Sequence, residues 1–263
     1  MTAEQLHLLR LDLDVPGLYG LARDHGLVHP GRRGPVLTSD LGYVLHAAFM
    51  ALFGDHNPDL FTVDPSAPAH AAPRVVRVLA YSEHDLATLR DHAQTYADPA
   101  AYHLVDWERA ASKPMPSTWR EGQRLGFHLR ACPTVRMAKA GPHHREGAEV
   151  DAFVAATWRA GEGVPVDRET VYRDWLAAAL ARRGAAKLEH AAVENFHLEP
   201  FLRRTQGDER RARPNLRKPD ATLSGALTLT DPAAFDALLR RGVGRHRAFG
   251  FGMLLLRPER SGC

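Results

Sequence analysis

Tyr43 and His46 stand three residues apart, and both side chains can take part in proton transfer. A neutral imidazole accepts a proton near neutral pH and its conjugate acid gives one back. A phenol one helical turn away can hydrogen-bond a reacting oxygen. Together they hold the parts for one particular scission, the attack of an RNA 2′-hydroxyl on its own neighbouring phosphorus. That reaction needs a proton taken from the 2′-oxygen, in-line geometry at phosphorus and a proton for the departing 5′-oxygen. It needs neither a metal nor a protein nucleophile. The same spacing also fits two helix residues that only pack or face water, and it does not say which group is the base and which the acid.

A second stretch, Gly242 to Leu256, reads GVGRHRAFGFGMLLL. Gly242, Gly244, Gly250 and Gly252 free the backbone to approach a ligand closely. Between the two glycine pairs lie Arg245, His246 and Arg247, a set suited to a phosphate cradle with cations at its rim. Phe251, Met253, Leu254, Leu255 and Leu256 then make an apolar run ending at Pro258, which predicts a buried strand. A P-loop or a dinucleotide fingerprint would lead into a helix, so neither applies. A small-molecule phosphate enzyme built on this loop is disfavoured for the same reason. A glycine-rich turn before a core strand is the plainer reading of these residues alone.

Charge is uneven. The 263 residues carry a net +3, yet Arg203, Arg204, Arg210, Arg211, Arg213, Arg217 and Lys218 face only Asp208 and Glu209. This segment therefore holds +5 and the remainder sums to −2. Such a concentration marks either a polyanion contact or a solvated loop. Gly207 and Pro214 would let it project as a hairpin between two strands. A thin arginine-rich element of that kind can enter the deep, narrow major groove of an A-form duplex and read its shape.

Other chemistries find little support. Cys132 and Cys263 cannot form a disulfide framework, which points to a reduced, cytoplasmic setting. No signal core and no run of about 18 apolar residues is present, so no membrane association is expected. His143 and His144 are adjacent rather than at chelating spacing, and CxxC, HExxH and GxSxG are all missing, so no metal and no cofactor is expected.

The elements that must position these residues repeat one order. Leu6–Val15 alternates as a strand, followed by a short helical piece and a loop across Gly17–Pro35. Thr38-Ser39-Asp40 starts a helix running to about Gly54, with Leu41, Val44, Leu45, Ala48, Phe49, Leu52 and Phe53 as its apolar face. Leu60–Val63 and Arg74–Tyr81 are strands, Glu83–Tyr96 is a helix capped by Ser82, and Tyr102–Trp107 is taken as the last strand. Ser112–Glu121 is the linker. In the second half, strands at Arg124–Ala131, Lys187–Leu202 and Ala221–Leu229 alternate with a short helix near Val150–Trp158, a helix after Asp167 and one after Asp231-Pro232. The glycine-rich loop and the terminal strand close the set. The fold class is therefore α+β, two tandem ferredoxin-like (RRM-like) domains, each βαββαβ with an antiparallel sheet. Residues 1–114 form the domain with the Tyr43/His46 helix. Residues 122–263 form the domain with the basic segment and the glycine-rich loop.

Three stretches in this order carry a family resemblance: GYVLH at Gly42–His46, GQRLGFHLRACPTVRMAK at Gly122–Lys139, and LLRRGVGRHRAFGFGMLLLRP at Leu238–Pro258. The chain resembles the CasE-type CRISPR-associated endoribonucleases of the RAMP superfamily, the Cascade subunit that processes precursor CRISPR RNA. The resemblance implies metal-independent cleavage at the base of a repeat stem-loop, leaving a 2′,3′-cyclic phosphate and a 5′-hydroxyl. It implies that Tyr43 and His46 are catalytic. Arg203, Arg204, Arg210, Arg211, Arg213, Arg217 and Lys218, with Gly242, Gly244, Arg245, His246 and Arg247, would bind the RNA. Expected partners are the repeat stem-loop, as precursor and as retained guide RNA, and other Cascade subunits, especially the backbone subunit. A non-cleaving RNA-binding subunit of the same fold is the alternative.

Overall fold

The computed structural model describes residues 5–26, 28–31, 34–37, 41–67, 74–182, 184–200 and 217–258. Its internal contacts form two compact units. One comprises Met1–Ser117, Pro200–Arg217 and Arg247–Met253, and the other Thr118–Glu199, Lys218–His246 and Leu254–Cys263.

In the first unit the order is β1 (His7–Asp14), α1 (Val15–Asp24), a hairpin of β2 (Val28–Gly31) and β3 (Gly34–Leu37), α2 (Leu41–Phe53), β4 (Leu60–Val63), β5 (Val75–Ser82), α3 (Leu86–Tyr96), α4 (Pro99–Tyr102) and β6 (Ala111–Pro114). The main sheet runs β4-β5-β1-β6, and its pairs are antiparallel. That is the strand order of a ferredoxin-like βαββαβ unit. Leu9, Leu11 and Leu13 of β1 lie opposite Ala80, Val78 and Val76 of β5. The period of two turns all three leucines into the core, where they are fully buried with Phe49, Phe53 and Phe61. The Phe61 ring meets Phe49 edge-on at 5.0 Å.

Two expectations change here. Residues Tyr102–Trp107 form no extended strand, only an isolated antiparallel bridge from Val105 to Leu13 of β1. Asp98 accepts from the Ala100 amide and opens the short helix α4. Ala101, Leu104 and Val105 are buried. The last strand is β6, paired with His7–Arg10. The cap of α3 is Asp85, which accepts from the Thr88 amide at 2.9 Å. Ser82 stays in β5 and receives the His84 amide instead.

The second unit repeats the order: β7 (Arg124–Ala131), β8 (Thr134–Arg136), β9 (Glu149–Asp151), α5 (Ala152–Ala160), α6 (Arg168–Ala181), β10 (Ala186–Pro200), β11 (Arg217–Leu229), α7 (Pro232–Arg241) and β12 (Leu254–Arg257). Its sheet runs β10-β11-β7-β12. Leu129 of β7 sits opposite Leu223 on one side and Leu254 on the other, and all three are buried. Asp151, Asp167 and Asp231 cap α5, α6 and α7 through first-turn amides. No helix among the described residues is long and apolar enough to cross a membrane.

Candidate active site

The core stripe of α2 decides where Tyr43 and His46 point. Val44, Leu45, Ala48, Phe49, Leu52 and Phe53 are buried and fill one face at about 100° per residue. The same geometry puts Tyr43, His46 and Met50 together on the opposite face. Tyr43 and His46 are half-buried there. What covers them comes from the far end of the chain. Residues Arg247–Phe249 form a single 3₁₀ turn within the same compact unit as α2. The Phe249 ring stacks on Tyr43 at 5.5 Å with 7° between planes. It meets His46 edge-on at 5.3 Å and 75°. One phenyl ring therefore touches both side chains. Burial pulls the His46 imidazole below its ordinary value of 6.5, and the negative charge of Asp59 draws it partly back.

The root of the glycine-rich loop belongs to the second unit. Gly242 ends α7 with φ 75° and ψ 175°, a conformation that is essentially restricted to glycine. Positive φ recurs at Gly244, Gly250 and Gly252, and at the non-glycine His246 with φ 60°. His246 is held there by chemistry. Its Nε2 lies 2.6 Å from Glu149 Oε1 and 2.6 Å from Lys218 Nζ. Lys218 donates to the same carboxylate oxygen at 2.5 Å, and the Arg245 guanidinium approaches the other at 3.7 Å. Burial alone would raise the Glu149 carboxyl. The His246 and Lys218 hydrogen bonds outweigh it and hold the group at about 2.

Two donor sets among the described residues have metal-ligand proximity, Cys132 with Glu149 and His246, and His197 with Glu199 and Asp220. In each set a protein cation already occupies a carboxylate. Lys218 sits on Glu149, and Arg130 reaches Asp220 at 2.6 Å. Burial pushes the Cys132 thiol up to about 12, which keeps it protonated. Neither set includes Tyr43 or His46.

The other residues of interest fall as follows. Arg217 is exposed at the start of β11, whereas Lys218 retains 8% of its surface and is committed to Glu149. Gly244 and Arg245 are exposed, Arg247 is half-buried and Gly242 is buried. Arg203, Arg204, Arg210, Arg211 and Arg213 lie outside the described residues. Sequence reasoning missed Phe249 and Glu149. An aromatic ring set between two glycine pairs was a usable signal for the first. Glu149 sits in a stretch without periodicity and gave none.

The family model described as "CRISPR associated protein" matches residues 25–258, most of the chain. The chain belongs to this CRISPR-associated protein family. A curated relative, "CRISPR-associated endoribonuclease Cse3" of Thermus thermophilus, is 30% identical over 152 residues, which is 56% of this chain and 61% of that protein. Less than two thirds of that relative's length is therefore matched. The structure of Thermus thermophilus Cse3 bound to an RNA representing a pre-cleavage complex superposes with a TM-score of 0.60 at 19% identity, over 97% of this chain and 100% of that one. A chain of a CRISPR RNA-guided surveillance complex, pre-nicking, gives 0.54 at 15% identity over 96% and 100%. At such identities the likeness establishes a shared family fold.

Proposed function

We propose that this family member is a metal-independent endoribonuclease that cuts CRISPR repeat stem-loops in precursor CRISPR RNA and then keeps the mature guide RNA within a Cascade-type complex. The observation that carries the reading is the single ring of Phe249 orienting Tyr43 and His46 on the solvent-side face of α2. The endoribonuclease name of the Thermus relative and the RNA in its structure support it. The likeness to a chain of a CRISPR RNA-guided surveillance complex supports other subunits of such a complex as partners.

The chemistry is assigned as follows. Neutral His46 takes the proton from the 2′-hydroxyl. The 2′-oxygen attacks the adjacent phosphorus and the bond to the 5′-oxygen breaks, leaving a 2′,3′-cyclic phosphate. The 5′-oxygen takes up a proton from solvent and protonated His46 returns its own to solvent, so the net step moves one proton from the 2′- to the 5′-oxygen and consumes no water. The Tyr43 hydroxyl hydrogen-bonds the reacting oxygen or the phosphate. The arginines at 203, 204, 210, 211 and 213, with Arg217, supply phosphate contacts.

The test is incubation with a repeat hairpin in EDTA. Cleavage should persist, and the 3′ fragment should accept a 5′ label from polynucleotide kinase without prior dephosphorylation. Intact RNA that is nonetheless bound would leave a non-cleaving RNA-binding subunit. Cleavage that vanishes with the chelator would reject the metal-free route.

Phe249 is a positioning residue in this scheme. Phe249→Ala should lower the single-turnover rate by about 10- to 100-fold, because misplacement of acid–base groups by an ångström costs on that order. Hairpin affinity should change little, and Phe249→Tyr should restore most of the rate. A rate loss matched by an equal loss of affinity would assign the ring to RNA binding instead.

A further inference from the structure

Helix α2 has more to offer RNA than its two acid–base side chains. Leu41–Phe53 holds no Lys, Arg, Asp or Glu, so beyond His46 it can give a nucleotide only uncharged contact. Its solvent-side stripe is Tyr43, His46, Ala47, Met50 and Ala51. Ala47 and Ala51 are short and half-buried, and they leave a shallow floor beside the imidazole. Met50 is the one long aliphatic side chain of that stripe, and it keeps 44% of its surface. Leu41 is also exposed, but at helical spacing it lies about 140° round from His46, whereas Met50 lies about 40° round and one turn on.

Two contacts narrow the choice further. The Phe249 ring lies flat on Tyr43, so that face of the phenol is closed to a base. Met50 stays open, and its sulfur is held from one side. Asn57 Nδ2 donates to Met50 Sδ at 3.1 Å and to the Gly54 carbonyl at 3.0 Å, which ties the thioether to the 3₁₀ turn Gly54–His56 that follows α2. A polarizable thioether makes favourable contact with aromatic rings. The substrate's own geometry brings a ring there. In a ribonucleotide the 2′-oxygen and the base are carried on adjacent carbons of the sugar. With His46 on the 2′-hydroxyl, the base of that nucleotide falls within about one helical turn of the imidazole, about 5 Å, which is the spacing of Met50 from His46 along the helix surface.

We propose that Met50 seats the base of the nucleotide whose 2′-hydroxyl attacks, with the thioether against the face of that base. This rests on the ribonuclease reading with His46 as proton acceptor, and it names a part of the substrate that the site holds besides the phosphate. The test is a cycle of kcat/KM values for the full chain. Wild type and Met50→Ala are each given the repeat hairpin and the same hairpin with an abasic ribonucleotide, which keeps its 2′-hydroxyl, at that position. On the intact hairpin Met50→Ala should lower kcat/KM by about 2- to 10-fold, the worth of a sulfur–ring contact. On the abasic hairpin the two proteins should agree within about twofold, because the partner of the side chain is already gone. Met50→Leu should keep most of the intact-hairpin rate, and Met50→Gln, equally long but polar, should not. An unchanged rate for Met50→Ala, an equal loss on both hairpins, or coupling only to the base on the 3′ side of the scissile bond overturns the assignment. A wild type that binds both hairpins and cuts neither fails the ribonuclease reading itself, and the seat falls with it.

Discussion

His46→Ala is expected to slow hairpin cleavage by about 10²- to 10⁴-fold, the range that a positioned acid–base group contributes. Binding of a hairpin with a 2′-deoxy substitution at the scissile nucleotide should stay within a few-fold of wild type, since the substitution removes a proton carrier and no cation. The pH profile adds a sign. Burial holds the His46 imidazole below 6.5, so at neutral pH the ring is neutral and able to accept a proton. With His46 as base, the wild-type rate should be flat at neutral pH and fall on the acid side, with its midpoint below 6.5. A rate that instead falls on the alkaline side would assign His46 the acid role. Cleavage by His46→Ala at the wild-type rate would place the chemistry elsewhere.

How far this site could be read from residues alone varies by element. The helix carrying Tyr43 and His46 was legible because six apolar residues at helical spacing leave no other face for the pair. Apart from the last strand of the first unit, the strands of both units were legible too, because alternation at Leu9, Leu11 and Leu13 and at Phe127 and Leu129 marks strands. The ring that orients the pair was not. Phe249 lies more than 200 residues from His46 in the chain, and nothing in local periodicity predicts which residues a loop will meet. The strand expected at Tyr102–Trp107 failed for the opposite reason. A short apolar run fits both periods, and the helix started by Asp98-Pro99 takes the run up to Tyr102 and leaves a single bridge from Val105 to Leu13. Lys218 shows a limit of charge reasoning. Counted with the basic segment, it is buried on Glu149, because a cation's partner is set by the strand it occupies rather than by its neighbours in sequence.

Glu149→Ala is expected to destabilise the second unit by about 3–5 kcal/mol, the typical cost of stripping one partner from a buried ion pair. The carboxylate is the common acceptor for Lys218, His246 and the Thr134 hydroxyl. Without it the buried Lys218 ammonium loses its 2.5 Å carboxylate contact, and His246, at a φ of 60°, loses its 2.6 Å one. At about 2 °C or more per kcal/mol for a unit of this size, the melting temperature should fall by about 6 °C or more. Glu149→Gln, which keeps the shape and an acceptor but not the charge, should fall between the two. Acid gives an independent check. The folded carboxyl sits at about 2 against an ordinary 4.5, so between those values the unfolded chain binds more protons than the folded one. Stability from this group is complete above pH 4.5 and drains away as pH drops from 4.5 toward 2. Wild type should therefore lose its advantage over Glu149→Ala across that window. A difference in melting temperature that stays constant from pH 6 to pH 3 would mean that Glu149 acts through packing rather than through its charge.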